Sequence, residues 1–163
     1  MTYRLTDLAA GELAGRREEL IALCAQAFCG APWHEPPAGA LRTVDRLLTR
    51  AAEKPDFRCV GALDADDALD GFAAGWTGTF LSGEGQAPAF ELAELVVAPD
   101  RQGLGIGRAL HDALLTREPY RPALLMTLDV PELTGRYERW GWTAADRRRP
   151  EGEQHDFVVM RHA

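Results

Sequence analysis

Leu92 to Leu115 reads LAELVVAPDRQGLGIGRALHDALL, and this stretch decides the fold. An apolar, β-branched run ending at Val97 predicts a strand, and Pro99-Asp100 predicts a turn. Gln102-Gly103-Leu104-Gly105-Ile106-Gly107 follows, and then a helix. Ile106, Ala109, Leu110, Ala113 and Leu114 fall at i, i+3, i+4, i+7 and i+8, one apolar stripe. Pro119 is its expected stop. Three glycines at alternate positions leave the backbone uncovered where the helix begins. The orphan N–H groups and partial positive charge of a helix start suit an anion such as a pyrophosphate.

Two nucleotide-binding patterns fail on this loop. A P-loop needs Gly-Lys-Ser/Thr, where the chain has Gly107-Arg108-Ala109. A G-x-G-x-x-G/A fingerprint meets Arg108 or Leu110 at its sixth position, although Asp129 stands about 20 residues on, where a ribose-binding acid belongs. An ordinary glycine-rich turn is the plain alternative. The pattern that fits is Q/R-x-x-G-x-G/A between a strand and a helix, matched by Gln102, Gly105 and Gly107. On these residues the chain resembles the GNAT N-acetyltransferases, where the pattern holds the pyrophosphate of acetyl-CoA. Leu133 to Trp142 carries a second similarity: Arg136-Tyr137-Glu138-Arg139-Trp140-Gly141-Trp142 resembles the family's L-Y-E-x-x-G-F segment. Where the family often has Asn after the fifth strand, this chain has Asp129-Val130-Pro131.

Outward from the signature, Tyr3–Thr6 reads as a first strand. A helix over about 17–28 presents Leu20, Ile21, Cys24, Ala27 and Phe28. The loop Gly30–Pro37 breaks it, and a second helix over 39–53 presents Leu41, Val44, Leu48 and Ala51 until Pro55. Strands follow over Phe57–Leu63, Leu69–Leu81 and Ala89–Val97, the last two joined by a loop over 82–88. After the signature helix come a strand over Ala123–Leu128 and a short helix. Asp129 is its expected N-cap, with Pro131 in the first turn and Glu132 closing the box. Gly141 ends it. Trp142–Ala145 and Phe157–Arg161 close the chain as a strand pair. The order β-α-α-β-β-β-α-β-α-β-β is the GNAT order. The resemblance therefore implies one α/β domain over 1–163: a mixed, mostly antiparallel sheet of about seven strands flanked by about four helices.

Length and composition agree with one globular domain. A chain of 163 residues buries about 70% of its unfolded surface. A net charge of −7 argues against a nucleic-acid partner. Arg147-Arg148-Arg149 reads as a solvated hairpin tip. No apolar run reaches membrane length, and the polar N-terminus, MTYRLTDLAAGEL, predicts a cytoplasmic protein. Cys24, Cys29 and Cys59 have no ligand spacing and read as buried free thiols. His34, His111, His155 and His162 stand singly, so no metal is expected.

Acetyl transfer to an amine needs a held thioester, a donor for its oxyanion, a neutral amine and a proton for the thiolate. The amides of Gln102, Gly103, Leu104, Gly105, Ile106, Gly107 and Arg108 are the expected grip on acetyl-CoA. The resemblance implies that the backbone of Leu95, Val96 and Val97 pairs with the pantetheine, and that Tyr137 is the general acid. A phenol near pKa 10 suits that task. Glu91 and Glu94 are the candidate bases, since a carboxylate on an apolar face has a raised pKa. Simple alternation puts Glu91 with Leu95 and Val97, and Glu94 with Leu92 and Val96, unless a bulge shifts the phase. In the family the loop carrying Trp33, His34 and Glu35 lines the acceptor side. Trp33 and Glu35, with Trp76 and Phe80 on a nearby strand, suit a cationic amine. The expected activity is acetyl transfer to a primary amine, in a small molecule or a peptide, by direct attack. A silent module that binds acetyl-CoA as a sensor or scaffold is the alternative. A homodimer is left open.

Overall fold

The computed structural model describes residues 2–116 and 122–163, so the expected stop at Pro119 lies outside the described residues. Strands β1 (Arg4–Asp7), β2 (Arg58–Leu63), β3 (Leu69–Gly78), β4 (Ala89–Val97), β5 (Ala123–Leu128), β6 (Trp142–Arg148) and β7 (Phe157–His162) form one sheet, ordered β1-β2-β3-β4-β5-β7-β6. Neighbours are antiparallel except β4 and β5, which are parallel. Helices α1 (Ala10–Gly15), α2 (Arg17–Cys29) and α3 (Pro37–Glu53) cover one face over a core that includes Leu13, Leu20, Cys24, Val44, Leu47, Phe72 and Val96. Helices α4 (Ile106–Leu115) and α5 (Pro131–Arg139) cover the other over Phe90, Leu92, Leu110, Leu114, Leu125 and Met160.

Two irregularities in β4 shape everything that follows. Its pairing with β5 covers only Phe90↔Ala123 and Glu91↔Leu124, and beyond these the strands part. Against β3, Ala74 faces Glu94 while Gly75 faces Leu92, so Ala93 is the extra residue of a bulge. The bulge overturns simple alternation. Phe90 and Leu92 share the α4 face with Leu95 and Val97. Glu94 and Val96 point to the α2–α3 face, where Glu94 meets Arg46. Glu91 therefore shares its face with Glu94, not with Leu95 and Val97.

Other departures have local causes. The six-residue α1 is too short to show a helical period; Glu12 supports its start by accepting from the N–H of Ala9 at 3.3 Å. Helix α3 turns Leu41 outward and buries Ala40, Val44 and Leu47. Asp129 does not cap α5. Val130 holds that position without a side-chain bond, and Asp129 instead pairs with Arg147 and donates its N–H to Asp156 O at 3.0 Å. Cys29 is exposed, unlike Cys24 and Cys59. Among the described residues, no helix is long and apolar enough to cross a membrane.

Candidate active site

The glycine loop is built from its ends inward. Buried Asp70 holds Arg101 by two bonds of 3.1 Å, fixing the turn that leaves β4. At the far end of α4, Arg58 donates to the carbonyls of Ala113 and Leu114 at 2.6 and 3.0 Å, tying the helix to β2. Between these anchors Gly103 and Gly105 take φ of 80° and 85°, with Gly105 as the N-cap of α4. A Cβ at either would meet nothing within 4 Å, so the cradle is open. A Cβ at Gly107 would come 3.6 Å from Val97, an ordinary packing contact. The N–H groups of Ile106, Gly107 and Arg108 form the first turn, where no intrahelical acceptor exists. The side chains of Leu104 and Ile106 play no part: Leu104 points outward and Ile106 belongs to the core.

The loop opens into a cavity of about 310 Å³ that Leu95, Val96, Val97, Arg108, Arg136, Arg139 and Trp140 also line. Ala98 N–H is bonded to Asp70 O on β3 at 2.8 Å. Alternation then turns the backbone of Val96 toward β3 and leaves that of Leu95 and Val97 facing the gap. The amide of Gln102 occupies the Val97 carbonyl at 3.0 Å. A cradle of amides, three arginines and a strand gap together fit an extended ligand bearing phosphates.

The gap leads to a second chamber of about 260 Å³, which shares Phe28, Trp33 and Leu95 with the first. Glu94 and Tyr137 both line it. Glu94 is 8% exposed and accepts from Arg46 at 2.5 Å. Burial pushes its carboxyl up to about 7, against the opposing pull of Arg46. Burial likewise pushes the Tyr137 phenol up to about 12, so it keeps its proton at neutral pH. Glu91 stands apart. Its carboxylate accepts from Leu81 N–H at 2.6 Å and lines a third chamber with Trp76 and Phe80.

Trp33 and Glu35 are held firmly. Glu35 N–H donates to Phe28 O at 2.7 Å, His34 N–H to Gly30 O at 2.8 Å, and Trp33 meets Phe28 edge-on at 5.4 Å. Both lie in the chamber with Glu94. Phe80 lines that chamber and the next one, where Trp76 stacks on Phe57 at 6.1 Å. Of the predicted acceptor residues, Trp33, Glu35 and Phe80 thus share one chamber, and Trp76 lies in its neighbour.

Several residues of the groove carry no recognisable signal in the sequence. Arg46 joins the two acceptor chambers, and Glu153, on the loop between β6 and β7, reaches the first of them. Arg136 and Arg139 were legible only as part of the Tyr137 segment. His111 and His162 are not isolated: their rings lie 6.1 Å apart. Buried His111 accepts from the indole N–H of Trp142 at 2.8 Å and lies 4.9 Å from Trp140, which Arg108 overlies. Burial lowers the pKa of His111, consistent with a neutral acceptor ring. The three arginines of the hairpin are ion-paired, to Asp129, Asp146 and Asp156. Arg148 also reaches the carbonyls of Phe80 and Leu81 at 3.2 and 2.8 Å. Among the described residues no group of three His, Cys, Asp or Glu side chains could hold a metal.

Comparison with known proteins places the fold and the family. A comparison with curated proteins found no match. Among solved structures, a GNAT-family protein from Desulfovibrio desulfuricans superposes with a TM-score of 0.69 at 24% identity, covering 98% of each chain. A GNAT-family protein from Bordetella pertussis gives 0.73 at 17% identity, covering 100% of this chain and 98% of that one. The PaiA N-acetyltransferase of Thermoplasma acidophilum, in complex with coenzyme A, gives 0.66 at 16% identity over the whole of both chains. At these identities the likeness is one of fold. The family model described as "Acetyltransferase (GNAT) family" matches residues 22–119, which run from α2 through the glycine loop and α4. The chain belongs to the GNAT acetyltransferase family.

Proposed function

We propose that the protein is an acetyl-CoA-dependent N-acetyltransferase that moves an acetyl group to a primary amine by direct attack in a ternary complex. One observation carries this reading. The gap between β4 and β5 joins the anion cradle at α4 to the chamber of Glu94 and Tyr137. Bound acetyl-CoA supplies a thioester carbonyl and a thiolate leaving group. The amides of Gly105 to Arg108 hold the pyrophosphate, with Arg108, Arg136 and Arg139 around it. Leu95 and Val97 offer backbone groups along the gap, one N–H facing the carbonyl oxygen.

Glu94 takes the proton of the attacking amine, because a carboxyl titrating near neutrality is matched to that task. The nitrogen forms its bond to the acetyl carbon as the C–S bond breaks. Tyr137 donates to the departing sulfur and regains its proton from solvent. Its raised pKa makes this a hydrogen bond that strengthens with the leaving charge rather than an early transfer. Glu91 holds the loop at Leu81. Three carboxylates around the amine, Glu35, Glu94 and Glu153, favour a cationic acceptor. The free thiols suit a reducing cytoplasm.

Release of free thiol from acetyl-CoA in the presence of amines tests the activity. Intersecting initial-velocity lines are expected for a ternary complex; parallel lines would overturn direct attack. Coenzyme A binding without thiol release for any amine would leave the silent module as the better reading.

A further inference from the structure

We propose that the acceptor is a zwitterion: an amine on an apolar or aromatic skeleton that carries its own carboxylate, which Arg46 and Arg50 receive beyond Glu94. The proposal deepens the acetyltransferase reading and rests on it. It comes from a reversal of charge along the groove. The chamber beside the strand gap is lined by Glu35, Glu94 and Glu153 against a single cation, Arg46. The next chamber, of about 300 Å³, shares Arg46, Phe80, Leu92, Ala93 and Met126 with it. There the signs change. Arg46 and Arg50 stand one turn apart on α3, and among the described residues Glu91 is the one carboxylate in the lining, with an oxygen committed to Leu81 N–H. Lys54 and Arg148 add to the positive field felt by Glu91.

A polyamine would satisfy the first chamber and place its next cation among arginines. A simple apolar amine would leave the arginines unused. An amine with a carboxylate matches both signs in order, amine next to the gap and carboxylate farther out. Arg46 is in contact with Glu94, so amine and carboxylate sit close together, as on one carbon, and the remaining walls, Trp76, Phe80, Leu81 and Met126, suit an apolar or aromatic side chain. Arg50 can exchange its present partner for a ligand. Its partner Glu53 is 3.0 Å away at the surface, with both side chains 40% or more exposed, and such pairs contribute little.

The test measures thiol release with matched pairs at saturating acetyl-CoA: phenylalanine, methionine and leucine against phenethylamine, 3-(methylthio)propylamine and isoamylamine, with spermidine as the polycation. In at least one pair the amino acid should show a kcat/KM about tenfold or more above its decarboxylated partner. Arg50→Gln should narrow that gap, mainly by raising KM for the amino acid. The variant decides the matter, because the different basicities of the amines are the same for both proteins. Amines that match or exceed the amino acids in every pair, a preference for spermidine, or a gap that persists in Arg50→Gln would each overturn the proposal while leaving the acetyltransferase reading standing. If no compound releases thiol although coenzyme A raises the melting temperature, the acetyltransferase reading falls and takes this proposal with it.

Discussion

The two ends of the groove are built in opposite ways. The proposed cofactor end is local: seven consecutive residues, Gln102 to Arg108, shape it, and the donors it offers are main-chain amides at a helix start. The proposed acceptor end is assembled at long range. Trp33 and Glu35 come from the α2–α3 loop, Arg46 and Arg50 from α3, Trp76 and Phe80 from β3 and its loop, Glu94 from β4 and Glu153 from the last hairpin. A site made of backbone fails when the backbone is obstructed and tolerates most side-chain changes. A site made of side chains loses function in increments, one group at a time.

The largest effect should therefore come from the loop. Gly105→Asp puts a Cβ and a negative charge into the cradle. Asp tolerates the left-handed φ of 85°, and its Cβ meets nothing within 4 Å, so folding should survive. Coenzyme A binding measured by calorimetry should vanish, while the melting temperature moves by only a few degrees. Unchanged affinity would break the comparison at its cofactor end.

Next comes Tyr137→Phe, expected to lower kcat by about 10²-fold with coenzyme A affinity unchanged. Wild-type turnover would return Tyr137 to packing against Trp140 and Trp142, both of which it meets edge-on.

Glu94→Gln should reduce turnover by roughly tenfold to a hundredfold at neutral pH. This is at or below the low end of general-base help, because water takes over the proton. The pH–rate profile should move to higher pH, since the amine must then deprotonate unaided. Glu91→Gln, which weakens only the tie to Leu81, should leave the profile in place. The same residue gives a stability signature. The folded carboxyl titrates at about 7 and the unfolded one near 4.5. Its contribution to stability is thus full below about pH 4.5 and lost as pH rises through 7. Between pH 5 and 8 the wild type should lose melting temperature relative to Glu94→Gln. Parallel curves would show that burial does not raise the Glu94 carboxyl above its ordinary range.

The smallest effect belongs to Glu35→Gln. A tenfold rise in KM for a cationic acceptor, about 1.4 kcal/mol, is expected with acetyl-CoA binding untouched. An unaltered KM for every accepted amine would remove this loop from the acceptor site and leave Trp76 and Phe80 to define it.

The same contrast explains what could be read from the sequence. The order of strands and helices was legible because most elements are long enough to show a period, and the six-residue α1 was not. The strand, glycine turn and helix start of the proposed cofactor loop were legible because they are contiguous. Arg46, Arg50 and Glu153 were not, since an exposed arginine on a helix or a glutamate in a hairpin looks like any solvated charge until the fold brings it to a cavity. The Asp129 cap was misread because a better partner, Arg147, comes from another strand. The histidines looked scattered because 50 intervening residues, counted from His111 to His162, separate a pair that the sheet joins.

The bulge at Ala93 also sets a rule for chain length. With Ala93 removed, the β3 ladder would run from Ala74↔Glu94 to Gly75↔Leu92 without a break, and both carboxylates would keep their face. A residue lost or gained between Leu95 and Val97 would instead exchange inside for outside along the strand. Relatives of this chain can therefore differ in length by one at this point of β4 and still superpose, and an alignment that places the gap two residues later would pair core positions with cleft positions.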